Sequence, residues 1–257
     1  METVLRSGVS AASMASIGAS AVAISIIVPC WREDAVTGAL ATKWLAHEAV
    51  TEIIVAAAEA PATSHETLPG LRMISCTRRG RGCQMNEAAR VAKGNVLLFQ
   101  HADTELTAAH LQSLCRALTA DAGLGGGAFR RQFDERHPHL RWLEPWEALR
   151  CRRFGPLFGD QSVFVRRAVF EALGGFADIP LMEDVEFTCR LRRVAPIAVL
   201  EPSIRSSPRK HLQWGSWRTT LTNVLLLLFY VCGISPARLH YFYYRRTSAP
   251  SSSSAAE

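Results

Sequence analysis

Gly94-Asn95-Val96-Leu97-Leu98-Phe99-Gln100-His101-Ala102-Asp103-Thr104-Glu105-Leu106 is the stretch from which the rest of the chain can be read. Val96 to Phe99 is an apolar run that follows a Gly-Asn break, with no polar residue alternating through it. Runs of that kind are buried strands of mostly parallel sheets. The run closes in Gln100-His101-Ala102-Asp103, and a helical pattern starts just beyond. In open α/β sheets, ligands sit outside the carboxyl ends of the strands. An acid one step past such a strand can hold a divalent cation against a ligand's phosphates. It can equally turn the chain or cap the next helix. Asp103 carries both readings, and its surroundings must decide between them.

Upstream, the pattern repeats. Residues 24–28 form a first strand, stopped by Pro29 and followed by the loop Cys30-Trp31-Arg32-Glu33-Asp34. Residues 36–48 predict a helix with Leu40, Trp44 and Leu45 toward the core. Residues 52–55 predict a second strand, continued by Ala56, Ala57 and Ala58 without a polar group, and residues 71–75 a third. Arg78-Arg79-Gly80-Arg81-Gly82-Cys83-Gln84-Met85-Asn86 then leads into a helical run through Ala92. Two glycines among three arginines before a helix can bind phosphate through backbone N–H groups, helix dipole and guanidinium charge. A solvated basic loop has the same composition.

Downstream, residues 106–118 predict a helix, 123–127 a glycine-rich turn, 128–133 a strand and 136–152 a helix. His137 and His139 flank Pro138 without partners at metal-ligand spacing and read as surface residues. Gly159-Asp160-Gln161 precedes a strand over 162–165 and a helix over 167–173. Met182-Glu183-Asp184-Val185-Glu186 opens another helix, which ends near Val194 before a strand over 197–200. Acids in a first helical turn complement the macrodipole, which alone accounts for any one of them. On that helix Glu183 and Glu186 share a face, while Asp184 points about 100° away from Glu183.

The 257 residues suit one large domain with appendages, and 48% hydrophobic composition supplies a core. A formal charge of +6 favours anionic ligands or an anionic membrane surface. No nucleic-acid-binding signature is present, so nucleic acid is not an expected partner. Seven scattered cysteines without a CxxC pair read as reduced thiols. The expected divisions are a small-residue tail or targeting segment over 1–22, an α/β domain over 23–211, an amphipathic helical segment over 212–246 and a Ser/Ala tail over 247–257. The apolar residues 224–234, flanked by Trp214, Trp217 and basic residues, are too few for a span of about twenty. They fit a helix packed on the domain or lying in a membrane interface. The expected location is cytoplasmic, peripheral at a membrane or, if residues 1–22 act as a transit segment, within an organelle.

Taken in order, Gln84-Met85-Asn86, Gln100-His101-Ala102-Asp103-Thr104, Gly159-Asp160-Gln161 and Met182-Glu183-Asp184-Val185-Glu186 resemble the motifs of family 2 glycosyltransferases, closest to a bacterial-type subgroup. The opening Ile26-Ile27-Val28-Pro29-Cys30-Trp31-Arg32-Glu33-Asp34 is similar to that family's first strand and acidic loop, with Glu33 at the acidic place. The resemblance implies a GT-A (Rossmann-like) α/β fold: a mostly parallel central sheet, flanking helices and here a C-terminal helical appendage. It implies a nucleotide-sugar donor, a divalent metal (Mg²⁺ or Mn²⁺) and an acceptor hydroxyl on a lipid, saccharide or small molecule. By the same resemblance Asp103 is the metal ligand, with His101 where a first Asp often stands. Asp184 is the catalytic base with Glu183 beside it. Glu33, Arg81 and Gln84 lie near the nucleotide, and Asp160 and Gln161 lie on the acceptor side. The family usually has an Asp after its second strand that contacts the nucleotide base, and Ala57 stands there, with Glu59 the nearest acid. Two other classes share these features: a nucleotidyltransferase, and a catalytically degenerate membrane-associated binding protein.

Overall fold

The computed structural model describes residues 21–30, 38–58, 68–101, 104–132, 149, 151, 155–205 and 216–247. Its strands are β1 (Ile24–Cys30), β2 (Val50–Ala57), β3 (Leu71–Ser75), β4 (Val96–Phe99), β5 (Gly126–Gln132), β6 (Val163–Arg166) and β7 (Ile197–Arg205). Its helices are α1 (Gly38–Leu45), α2 (Arg81–Val91), α3 (Ala108–Ala120), α4 (Arg167–Ala172), α5 (Glu183–Val194), α6 (Ser216–Val231) and α7 (Pro236–Thr247). The strands form one seven-stranded sheet in the order β3-β2-β1-β4-β6-β5-β7. β6 is antiparallel to both of its neighbours, and the other pairs are parallel.

Apolar runs without polar alternation make this sheet because helices cover both of its faces. Side chains of period two split the core in two. Ile24, Ile26, Val28, Ile53, Val55, Val96 and Leu98 pack with Trp44 of α1 and with Leu111 and Leu114 of α3. Ile27, Ile54, Leu97 and Phe99 pack on the other side with Met85 and Ala88 of α2, Phe170 of α4, and Phe187 and Leu191 of α5. Phe176 meets Phe99 edge-on, with ring centroids 4.8 Å apart, and lies 4.6 Å from Phe187. The loop after α4 is thereby tied to the end of β4. The Trp44 indole donates to the Leu106 carbonyl at 3.0 Å, so its one polar atom is satisfied in the core.

The sequence expectations differ from the structure mainly at boundaries. β1 continues through Pro29 to Cys30, with Pro29 opposite Ala56. Its β4 neighbour stops at Phe99 opposite Ile27, so the side that lacks Pro29's N–H has no strand to serve. Gly126 and Gly127 belong to β5 and pair with Val165 and Phe164, where a turn was expected. β7 runs to Arg205, beyond the expected Leu200, because its pairing with β5 continues to Gln132. As an edge strand it tolerates Pro202. Most of the expected helix over 136–152 lies outside the described residues, as do most of the two tails. The apolar run over 224–234 is not one segment. α6 ends where Gly233 N–H donates to the Tyr230 carbonyl and Ile234 N–H to the Phe229 carbonyl, at 2.9 and 3.0 Å. α7 then starts at Pro236. No helix among the described residues is long and apolar enough to cross a membrane.

Candidate active site

β1, β2 and β4 all end on one edge of the sheet, and β6, running the other way, begins there at Val163 opposite Phe99. α2 and α5 both start at this edge. Gly82 lets their first turns touch, because a Cβ on it would lie 3.0 Å from the Ala177 carbonyl and 3.5 Å from the Glu183 Cβ. The edge is therefore where Arg81, His101, the Gly159–Gln161 turn and the acids of α5 converge. Pro29, Arg81, Phe99, His101, Gly159 and Asp184 are among the residues lining a cavity of about 10 Å³, the size of one water.

The three α5 acids have different surroundings. Glu186 makes a two-pronged pair with Arg190, both contacts at 2.6 Å. Glu183 is buried, 3.8 Å from the Arg81 guanidinium. Asp184 faces the cavity: its Oδ2 accepts the Gly159 N–H and its Oδ1 the Val185 N–H, both at 2.7 Å. Burial pushes the Asp184 carboxyl above its ordinary range, against the Gly159 N–H and Arg81 charge, which lower it. Burial likewise raises Glu183, helped by the Asp184 charge and opposed by Arg81. Two adjacent acids around one guanidinium thus hold protons more tightly than free carboxyls do. Met182, just before them, adopts φ 68°, a left-handed conformation uncommon for a side-chain-bearing residue. Such strain clusters at functional sites.

Asp160 is set differently. Burial pushes its carboxyl up, but the Arg131 charge and a 2.7 Å hydrogen bond from Arg131 Nη1, with His101 and Arg81 farther off, outweigh burial and hold it below its ordinary value. Its other oxygen, Oδ1, is buried with no hydrogen-bond partner. One edge therefore carries an acid poised to hold a proton and another fixed in the charged form, the separation that acid–base sites use.

Two of the expected site residues bond main chain. Gln84 is buried and donates its amide to the Cys30 and Ala56 carbonyls at 2.6 and 2.7 Å, tying the ends of β1 and β2 together. Gln161 is also buried; it accepts the Phe158 N–H at 2.9 Å and donates to the Phe129 carbonyl at 3.2 Å. The Gln84 amide N–H₂ and both polar ends of Gln161 thus brace main chain beside the site. Glu33 and Asp103 lie outside the described residues. The flanks of Asp103 are well held: Gln100 Nε2 donates to the His101 and Thr104 carbonyls at 3.0 and 2.7 Å, and Ser162 Oγ donates to Gln100 Oε1 at 2.5 Å. Sequence reasoning gave Gln100 and Arg131 no role. A polar residue ending a buried strand and an arginine inside a strand after glycines were the available signals. Of the basic segment, Arg78 pairs with Asp178 away from the cavity, and Arg81 alone lines the cavity.

Among the described residues, no three His, Cys, Asp or Glu side chains are grouped so as to hold a metal ion. Ala57 ends β2, buried and without a carboxylate to offer.

Gly159 is confined by the same cluster. A Cβ there would lie 2.6 Å from His101 Nε2 and 3.4 Å from Asp184 Oδ2. Gly159→Ala is expected to keep the fold but displace His101, lowering turnover roughly tenfold, below the about 10²-fold that a 1 Å misplacement can cost. Steady-state kinetics beside a thermal melt checks this. An unaltered rate would show that His101 has no positional demand.

Comparison with known proteins agrees with this architecture. Residues 25–195 match the family described as Glycosyl transferase family 2. No curated protein gives a significant match. Among solved structures, the chain is similar to the mannosyltransferase PcManGT of Pyrobaculum calidifontis, described in complex with GDP-Man and Mn²⁺: 20% identity, 87% of this chain, 69% of that one and a TM-score of 0.58. It is also similar to residues 1–349 of S. aureus TarS, at 15% identity over 88% of this chain and 73% of that one, with a TM-score of 0.51. A TarS structure in complex with UDP-GlcNAc matches 72% of this chain and 58% of that one at 16% identity, with a TM-score of 0.52. At these identities the likeness shows the fold, a GT-A-type α/β sheet with flanking helices. The matched family covers most of the chain, including β1, the carboxyl-edge cavity and the acids of α5. On these grounds the chain belongs to glycosyl transferase family 2.

Proposed function

We propose that this glycosyltransferase moves a sugar from a nucleotide-sugar donor to an acceptor hydroxyl with the help of a divalent metal, Asp184 serving as general base. The observation that carries the reading is the Asp184 carboxylate, half-buried at the carboxyl edge where its Oδ2 accepts the Gly159 N–H beside His101, with its pKa raised. A base for a hydroxyl needs proton affinity, and desolvation raises that of Asp184 above an ordinary carboxylate's. In the step, the acceptor O–H proton goes to Asp184 and the acceptor oxygen bonds to the anomeric carbon. The bond from that carbon to the diphosphate oxygen breaks, and nucleoside diphosphate leaves. Asp103 is the residue that would hold the metal, which when bound would neutralise charge on the diphosphate. Arg81 lines the same cavity and adds cationic charge there. Asp160, kept ionised by Arg131 and with one oxygen unpartnered, suits orienting a second hydroxyl of the acceptor.

Solved relatives bind donors with different bases, guanine in one and uracil in the other, so the fold does not choose the base. The donor is therefore found by screening. Nucleotide-sugars tested by thermal shift, with and without Mn²⁺ or Mg²⁺, should include one that raises the melting temperature more when metal is present. A screen in which every donor leaves the melting temperature unchanged would overturn the reading.

A further inference from the structure

α6 and α7 carry an apolar surface on the wrong side. Leu221, Val224, Leu228 and Val231 recur at helical spacing, and all four point outward, 59, 56, 52 and 74% exposed. A helix packed on a domain normally turns such a stripe inward. The inward face is already used: Leu226 of α6 and Leu239 of α7 are buried. Tyr230 lies close enough to α5 that, after burial, the charge of Glu186 is the next cause raising its phenol pKa. The pair thus turns one face, with Leu226, Tyr230 and Leu239, inward and leaves the other outward. α7 extends the surface with exposed Tyr241 and Phe242 beside exposed Arg238.

Charge says what covers it. Between Pro202 and Ala256 the chain has seven Arg or Lys residues and no Asp or Glu. A second copy would set cation against cation. An anionic lipid surface is complementary, and Tyr and Arg at the edge of an apolar face are the side chains that such an interface favours. At 16 residues, α6 is about 24 Å long, short of the about 30 Å hydrocarbon core, so it would lie along a bilayer rather than through it.

We propose that the outward face of α6 and α7 docks on an anionic lipid bilayer, with Leu221, Val224, Leu228, Val231, Tyr241 and Phe242 in the headgroup layer and Arg238 against lipid phosphates. The test is flotation of the full chain with vesicles of phosphatidylcholine alone or of phosphatidylcholine mixed equally with phosphatidylglycerol. The mixed vesicles should float the protein and the neutral ones should not. Leu228→Glu with Val231→Glu should weaken flotation at least tenfold, and Arg238→Glu roughly tenfold, at unchanged melting temperature. Failure of the wild type to float with mixed vesicles would overturn the proposal, as would floating variants. So would sedimentation showing a dimer that the two Glu substitutions dissolve, since the face would then be a self-interface. Lipid binding needs no donor, so its failure leaves the thermal-shift screen with nucleotide-sugars unaffected.

Discussion

Asp184→Asn should lower turnover roughly 10²- to 10⁴-fold with donor affinity little changed. The substitution keeps the shape and an oxygen for the Gly159 N–H, so what is lost is the proton acceptor. The raised carboxyl pKa gives the prediction two further readouts. A base must be ionised, so wild-type turnover should fall as pH drops through the raised value, above the usual Asp range, and this limb should vanish in the variant. Stability should move the other way. Because folding raises this pKa, the protonated form is favoured in the native state. Ionisation therefore costs stability once pH rises above the unfolded value and through the folded one. Removing the charge should leave the melting temperature at neutral pH unchanged or higher. A variant that turns over normally would remove Asp184 from the mechanism and leave Glu183, its buried neighbour, as the next acid to test.

Asp103→Ala is expected to abolish the metal-dependent part of donor binding and to lower the rate about 10²-fold or more, the scale of losing one strong charge-stabilising contact. The fold should survive, because Gln100, itself bonded by Ser162, ties the His101 and Thr104 carbonyls on either side. Calorimetric titration of Mn²⁺ into the donor complex checks it. The same metal response in the variant would assign the cation elsewhere.

The sheet was legible because Val96 to Phe99 and its counterparts are apolar without alternation, which demands helices on both faces. Boundaries were less so. Gly126 and Gly127 look like a turn in sequence, yet the register of β5 with β6 and β7 makes them strand. On α5, Glu183 and Glu186 stand three positions apart, and helical spacing turns Asp184 about 100° from Glu183. Gln84 and Gln161 show where motif reading stops. A glutamine in a motif can serve the ligand or the frame, and the bonds of these two to the Cys30, Ala56 and Phe129 carbonyls were not readable from the motif. Arg131 was out of reach because its partner Asp160 is 29 residues away, and nothing local signals that pairing. Glu52 carries the converse lesson. It is a buried acid held by Ser25 Oγ at 2.9 Å and by Arg72 at 3.4 Å, and β2 carries it well short of the carboxyl edge, so it braces strands and has no place in the chemistry.

The most direct test of glycosyl transfer at this edge is to follow phosphorus by nuclear magnetic resonance, with the purified full chain, diamagnetic Mg²⁺ and the nucleotide-sugar chosen by thermal shift. The account predicts that free nucleoside diphosphate appears as the donor disappears, and does so roughly 10²- to 10⁴-fold more slowly in Asp184→Asn. Release of a sugar phosphate from that donor, or of pyrophosphate from a nucleoside triphosphate, would mean that a phosphorus–oxygen bond is cut in place of the anomeric one, and would contradict it.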